Sequence, residues 1–481
     1  MTSAPLASRS FSMDDQIAFA RLSSDWNPVH RDHAFARRTQ VGAPVVHGIN
    51  NLAWAANAVL QCFPFKVSNI RARFLQPLYL DELASVRIRN RTDRLIEFQV
   101  VAANVAVALI RLSSGPGKFA VAGTPSATST PVRMSQPADL RFEQLAGQSG
   151  AVATSDKDVR SLFPALSDAI GPSAVKALLA TSEIVGMACP GLHSLFAGLD
   201  VNCDPKAGRE NVLAYSVTKV DARFRSLQIE VSGAGIAGRL EAFARPAPPT
   251  QPGMAEIAPH VAGSPFAGQY SLIIGGSRGL GEVTAKIIAA GGGRAVITYR
   301  ESGDDAERVA ADIRRAGGQC EILHYDALAP ANAQLQTLGA VDCAYYFATP
   351  RIFRRKSALF EPQTLHMFLR YYADGFNDLC TALSRDGAEK LTVFYPSTMA
   401  VDERASATTE YAMAKMAGEV LAQYLNEFAI NIDVICRRLP RILTDQTATI
   451  GVASADNALD VMLPIVYEVQ QSARRDPVPH G

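Results

Sequence analysis

The sequence predicts two architectures in one chain: an α+β half in which a sheet wraps a central helix, twice in tandem, then an α/β half built as a doubly wound parallel sheet. Three observations predict this. Between residues 47 and 114 one long apolar helix pattern is followed by several strand-like runs. A weaker version of the same order recurs between residues 182 and 246, as an internal duplication would leave it. From residue 270 onward, apolar β runs alternate with amphipathic helix patterns.

A chain of 481 residues is too long for one hydrophobic core, so several domains are expected. Its 48% apolar and 19% charged residues are those of an ordinary globular protein. Forty-seven basic residues against 46 acidic ones leave no charge excess to favour nucleic acid or an anionic membrane, and neither partner is expected. The seven cysteines are scattered with no CxxC pair, so neither a disulfide framework nor a metal site is expected. The first 20 residues hold no apolar core of signal-peptide length. No apolar run approaches the ~20 residues that span a bilayer, and a cytoplasmic location is the expectation.

Two stretches read as linkers. Residues 113–137, SSGPGKFAVAGTPSATSTPVRMSQP, are dense in small and turn-forming residues without a helical period. Residues 245–265, RPAPPTQPGMAEIAPHVAGSP, are Pro-rich and are expected to run as a semi-extended connector. The expected domains are residues 1–120, 121–250 and 268–481, with 251–267 as the linker before the last.

In the first segment, FSMDDQIAFARLSS opens a helix in which Ser12 and Asp15 form a capping box. HGINNLAWAANAVLQCF follows as the long apolar helix, with Leu52, Ala55, Ala56 and Val59 on one face. VSNIRARFLQPLYLDELASVRIRN, LIEFQVVAANV and ALIRLSS are β-branched and partly alternating, as strands are. In the second segment, SEIVGMACPGLHSLFAGLDVN precedes strand-like NVLAYSVTKV, ARFRSLQIEVSG and IAGRLEAFARP. Here PGLHSLFAG is expected to stand where PVVHGINNL stands in the first, placing His193 at the counterpart of His47. The third segment runs YSLIIGG, GEVTAKIIAAGG, RAVITYR, DDAERVAADIRRAGG, CEILHYD, AVDCAYYFAT, LTVFYPS, MAKMAGEVLAQYLNEF and INIDVICRRL, strand and helix in alternation.

The stretch SLIIGGSRGLGEVTAKII sets Gly275, Gly279 and Gly281 between an apolar strand and a helix. Such glycines permit a tight turn and close backbone approach, so that a dinucleotide pyrophosphate meets the helix N-terminus, with Ser277 and Arg278 inside the same loop. The next strand ends ITYRES, with Tyr299 and Arg300 where an NAD site carries an acid. Arg278 and Arg300 suit a ribose 2′-phosphate, so NADPH is the expected cofactor.

With Asp326 in LHYDAL and Tyr411 and Lys415 in YAMAK, residues 268–450 resemble the short-chain dehydrogenase/reductase family. The resemblance implies that Tyr411 gives a proton to a carbonyl receiving hydride, that Lys415 lowers the phenol's pKa, and that a hydroxyl holds the carbonyl. YPST offers Ser397 and Thr398 for that hydroxyl. Ser397 is favoured, and Thr398 fits the family's spacing as well. The chain departs from the family at YFAT (346–349) in place of NNAG, at Tyr372 where the relay Asn stands, and at Pro440–Arg441 in place of Pro–Gly.

A second chemistry lies in the spacing Asp25-x-Asn27-Pro28-x-His30. With Pro28 fixing the turn, a carboxylate and an imidazole converge on one carbon skeleton. Removing water from a 3-hydroxyacyl thioester needs a base at the α-carbon, an acid at the departing hydroxyl and a donor for the thioester oxygen. The N–H of Gly48, at the start of the apolar helix, is placed for the last. Asp25, Asn27, Pro28, His30, Ala36, His47–Gly48 and ARFLQPLYLDE together resemble the MaoC-like, (R)-specific enoyl hydratase/dehydratase family, which has the hotdog fold. The resemblance makes Asp25 and His30 the catalytic pair and Asn27 a support, with Ser24 where the family has Gly. His33 is expected to face solvent, and His47 to buttress the helix start. The second half lacks the motif and is assigned packing and acyl-tunnel duty.

Together these features predict a bifunctional enzyme that reduces a 3-oxoacyl thioester with NADPH and dehydrates the product, in fatty acid or polyketide biosynthesis. Such fusions usually place the reductase first; this order is the reverse. The acyl group would ride on a carrier protein or coenzyme A, and a homodimer is expected. The basic clusters FARR (35–38) and RRKS (354–357) read as solvated loops. The alternatives are a hydratase with a catalytically inactive reductase-like scaffold, and a non-catalytic acyl-binding module.

Overall fold

The computed structural model describes residues 4–115, 131, 133–204, 211–352, 358–384, 390–429, 431–444 and 455–474. The 113–137 stretch and the RRKS cluster lie largely outside these. Two compact units divide at Ala247/Pro248. No helix among the described residues is long and apolar enough to cross a membrane.

The first unit holds both hotdog halves. Its first half runs β1 (Ala7–Arg9), α1 (Met13–Ser23), α2 (His33–Ala36), α3 (Gly48–Cys62), β2 (Asn69–Phe74), β3 (Ala84–Thr92), β4 (Leu95–Ala102) and β5 (Val105–Ser113). The capping box forms: Asp15 N–H donates to Ser12 Oγ at 3.2 Å, and Ser12 N–H to the Asp15 carboxylate at 2.8 Å. On α3 the face Leu52, Ala55, Ala56, Val59 has no solvent exposure at all. Small alanines let the sheet close on the helix, while Leu52 and Val59 each contribute roughly 2 kcal/mol by burial.

The second half runs β6 (Ser149–Ala153), α4 (Pro164–Ile170), α5 (Pro172–Glu183), β7 (Ser194–Cys203), β8 (Val212–Asp221), β9 (Ser226–Gly233) and β10 (Ile236–Ala244). All ten strands join one sheet in the order β1-β3-β4-β5-β2-β7-β10-β9-β8-β6, and the halves meet through the antiparallel β2–β7 pair. Every pairing in this sheet is antiparallel, so each strand shows one face to the helices.

Two expectations need correction here. The second central helix is α5, in PSAVKALLATSE, upstream of the expected segment. PGLHSLFAG follows that helix and opens β7, so His193 is not the counterpart of His47. The helix ends in a π turn, Ile184–Ala188, because Pro190 offers no N–H and Gly191 is left-handed at φ +79°. Nor are residues 251–267 a connector. Gly253 N–H is bonded by Glu256, α6 (Met254–Ile257) forms, and Met254, Ile257, Val261 and Phe266 are buried in the second unit's core. Met254 and Ile257 are three apart on one face of α6, and this packing outweighs the prolines around it.

The second unit continues β11 (Tyr270–Ile274), α7 (Gly279–Ala290), β12 (Arg294–Tyr299), α8 (Gly303–Arg315), β13 (Gln319–His324), α9 (Ala331–Gln334), β14 (Cys343–Tyr346), α10 (Pro362–Leu369), α11 (Gly375–Leu383), β15 (Leu391–Thr398), α12 (Ala400–Glu403), α13 (Thr409–Phe428), β16 (Ile432–Leu439) and α14 (Ala458–Ala473). Its six strands are parallel in the order β13-β12-β11-β14-β15-β16. This is the Rossmann arrangement, and its order reverses between β11 and β14, where such sheets open a crevice.

Candidate active sites

In the first unit, Pro28–His30 is a 3-10 turn whose start is capped by Asn27, the side-chain oxygen accepting Val29 N–H at 3.1 Å. This turn brings Asp25 and His30 face to face, His30 Nε2 lying 3.9 Å from Asp25 Oδ2. His30 Nδ1 meets the Val45 carbonyl at 2.8 Å, which places its proton on Nδ1 and leaves Nε2 as an acceptor. Burial depresses the His30 pKa, opposed by Asp25. Burial raises that of Asp25, opposed by His30, Ser182 and Asn27. A neutral imidazole beside a carboxyl that resists ionising is an acid–base pair in waiting.

His47 stacks on His30 with centroids 3.7 Å apart. Its Nδ1 meets Gln16 Oε1 at 2.9 Å and its Nε2 the Asp25 carbonyl at 3.2 Å. It is a strut for the loop. Asp25, His30 and His47 bring one ligand atom each within 4.8 Å; as a neutral imidazole, which its burial favours, His47 donates to only one of the two oxygens its nitrogens meet. Gly48 is the first residue of α3, where the leading N–H groups lack intrahelical partners, and a side chain there would meet the Phe74 ring at 3.2 Å. His33 is exposed. Ser24 ends α1 at φ +63°, the conformation that explains the family's glycine at this position.

The second half reaches this loop directly, beyond the packing role expected of it. Ser182 Oγ donates to Asp25 Oδ2 at 2.6 Å. Asn27 Nδ2 donates to Gly186 O at 2.8 Å and Gly191 O at 3.1 Å. A Cβ on Gly186 would lie 2.3 Å from Asp25 Oδ1. Glu183 is buried beside them, with burial and then Asp25 pushing its pKa up to about 8. None of these residues carries a motif, and sequence reasoning missed them.

In the second unit, the loop after β11 is a tight cradle. Gly275 (φ +78°) passes so close to Phe347 that a Cβ would sit 3.2 Å from its carbonyl, and one on Gly281 would lie 2.3 Å from Gly275 O. Arg278 is the N-cap of α7, and Ser277 is buried in the same turn. A loop with no room for a Cβ at Gly275 or Gly281, at a helix N-terminus, fits a dinucleotide pyrophosphate. Arg300 ends near β12 with its guanidinium on Tyr371 Oη and Glu301, both at 2.5 Å. The Asp326 carboxylate caps Leu328 N–H at 3.0 Å.

The two candidate hydroxyls face different partners. Ser397 donates to Glu419, which is held in turn by Arg438. Thr398 is the hydroxyl on the Tyr411 side, where it acts to lower the phenol's pKa. Adjacent residues of a strand point to opposite faces, so only one of the pair faces the phenol. The phenol is not held low either: burial pushes Tyr411 up to about 12, with Thr398 opposing. Burial also brings Lys415 down to about 7, its Nζ donating to Pro396 O at 2.6 Å and lying 4.1 Å from the centre of the Tyr372 ring. Tyr372 thus covers Lys415 from the π turn Arg370–Asp374, and its hydroxyl bonds Thr349 at 2.5 Å.

These units define a double hotdog followed by a Rossmann unit. Residues 3–110 match the family model described as MaoC like domain. Over 89 residues, 18% of this chain and 12% of the relative, the sequence is 34% identical to peroxisomal multifunctional enzyme type 2 of Mus musculus. It is 35% identical over 71 residues to enoyl-CoA hydratase 2, peroxisomal, of Arabidopsis thaliana, covering 14% of this chain and 23% of that protein. The chain thus spans less than a quarter of the length of these relatives. A short-chain dehydrogenase/reductase structure from Serratia marcescens aligns over 44% of this chain and 95% of its own, at 18% identity and a TM-score of 0.39.

Proposed function

We propose that the chain processes acyl thioesters at two sites, reducing a 3-oxoacyl thioester with NADPH in the second unit and dehydrating the 3-hydroxyacyl product in the first. The observation that carries the reading is the Asp25–His30 pair at 3.9 Å, with Asp25 buried, His30 partly so, and opposite perturbations of the two members. His30 Nε2 takes the proton from the α-carbon; those electrons form the new double bond. Asp25 gives its proton to the hydroxyl leaving the β-carbon, which departs as water. The Gly48 N–H, at the positive end of α3, stabilises the thioester oxygen as charge develops. The same steps in reverse hydrate an enoyl thioester.

In the second unit Gly275, Ser277, Arg278, Gly279, Gly281, Arg300 and Asp326 would hold the dinucleotide, the two arginines favouring NADPH. Bound there, the cofactor supplies hydride. Tyr411 then protonates the carbonyl oxygen, Thr398 orients it, and Lys415 answers the charge left on the phenol. A carrier-protein or coenzyme A thioester is the proposed substrate, biosynthesis the proposed direction, and a homodimer the proposed assembly.

The test follows NADPH oxidation with a 3-oxoacyl thioester and, separately, hydration of a 2-enoyl thioester. Both reactions are expected; Asp25→Asn abolishes only the second and Tyr411→Phe only the first. A second reading, a hydratase beside a cofactor-binding scaffold, is favoured by Tyr372, whose ring lies over Lys415 where the family places its relay Asn. Hydration without NADPH oxidation supports it.

A further inference from the structure

Arg245, just past β10, is 2% exposed. Its backbone N–H donates to His193 O at 2.7 Å, its Nε to Ser194 O at 3.3 Å and its Nη2 to Leu192 O at 3.2 Å. Its guanidinium thus rests on backbone carbonyls. Among the described residues no carboxylate lies within ion-pair distance of it. An unpaired buried cation is expensive to keep, and its field is poorly screened.

Two observations tie this cation to the acid–base loop. The Leu192 carbonyl it holds also accepts Asn27 Nδ2 at 3.4 Å, the side chain that caps the Pro28–His30 turn. Arg245 also acts electrostatically on His30, adding to the depression that burial causes and Asp25 opposes. Burial brings Arg245 itself down to about 10, so it remains a cation at neutral pH. The other charged or titratable groups around the pair are His47, stacked on His30, and Glu183, near Asp25. Around Arg245 stand Arg225, bonded to Ala244 O at 2.8 Å, and His193, paired with Asp139 at 3.2 Å.

We infer that Arg245 is a positioning residue for the acid–base pair: it fixes the carbonyl shared with Asn27 and sets a buried positive charge beside the loop that carries His30. This inference rests on the hydratase reading of the first unit. It gives the motif-less half an electrostatic task as well as a packing one.

The experiment compares the full chain with Arg245→Gln and Arg245→Lys in hydration of a 2-enoyl-CoA thioester across pH. His30 must be neutral to act, so activity falls on the acid side as it protonates. Without the nearby cation, the acid limb of kcat/KM in Arg245→Gln moves upward by roughly 0.5–1 pH unit, as expected for removal of one like charge. Arg245→Lys keeps the charge and so keeps the limb, while kcat falls about 10-fold because the fork on the carbonyls is lost. An unmoved limb in Arg245→Gln overturns the inference, and so does a limb that moves equally in Arg245→Lys. The His30 ring titration by NMR gives the same comparison without turnover. A wild-type chain that does not hydrate the thioester defeats the hydratase reading, and the NMR shift still decides the role of Arg245.

Discussion

Ser182 Oγ hydrogen-bonds Asp25 Oδ2 at 2.6 Å across 157 positions of sequence. The Asp25 carboxyl of the first hotdog half is therefore held by the helix of the second. Ser182→Ala leaves that oxygen without its donor, and a hydrogen bond to a potentially charged group is worth about 1.5–3 kcal/mol. Hydration should fall by about 10-fold or more with the circular dichroism spectrum unchanged; full activity would show that Ser182 is a bystander.

Gly186→Ala should act more severely. Its Cβ would fall 2.3 Å from Asp25 Oδ1, and the loop must move. Thermal unfolding should show a loss of about 1–3 kcal/mol, the usual penalty of overpacking, and hydration should be nearly abolished. Wild-type stability in this variant would mean that the π turn yields freely.

Glu183 predicts a pH dependence of stability. Its carboxyl is raised from 4.5 to about 8 by burial and by Asp25. A raised acid binds its proton more tightly folded than unfolded, so its contribution is most favourable below pH 4.5 and is lost as pH rises toward 8. Glu183→Gln removes this loss and should raise the melting temperature relative to wild type more at pH 8 than at pH 5. An equal shift at both pH values would place Glu183 in solvent.

Of the two hydroxyls on β15, Thr398 acts on the Tyr411 phenol and Ser397 bonds Glu419. Thr398→Ala should lower ketone reduction by roughly 10²-fold, at the lower end of what a positioned acid–base partner contributes. Ser397→Ala should change it little. The reverse ranking would mean that the strand turns over when substrate binds.

Much of this was legible because chemistry and spacing coincide locally. Asp25, Asn27 and His30 lie within one turn, and the glycine loop lies between one strand and one helix. What was not legible depends on contacts distant in sequence. Ser182, Gly186 and Arg245 meet the Asp25 loop only because β2 and β7 pair the halves edge to edge. Alternation along β15 shows that only one of Ser397 and Thr398 faces Tyr411, but not which one. The α5 helix was missed because SEIVG extends its apolar pattern into Pro190, which drew attention to the turn rather than to the helix before it.

The central claim is that one chain reduces and then dehydrates the same acyl group. Mass spectrometry of a 3-oxoacyl thioester incubated with the protein and NADPH tests it most directly. The account predicts a gain of two hydrogens followed by loss of one water, the reaction stopping at the 3-hydroxy species in Asp25→Asn. An unchanged 3-oxoacyl thioester, from a protein that still hydrates the enoyl thioester, would contradict it.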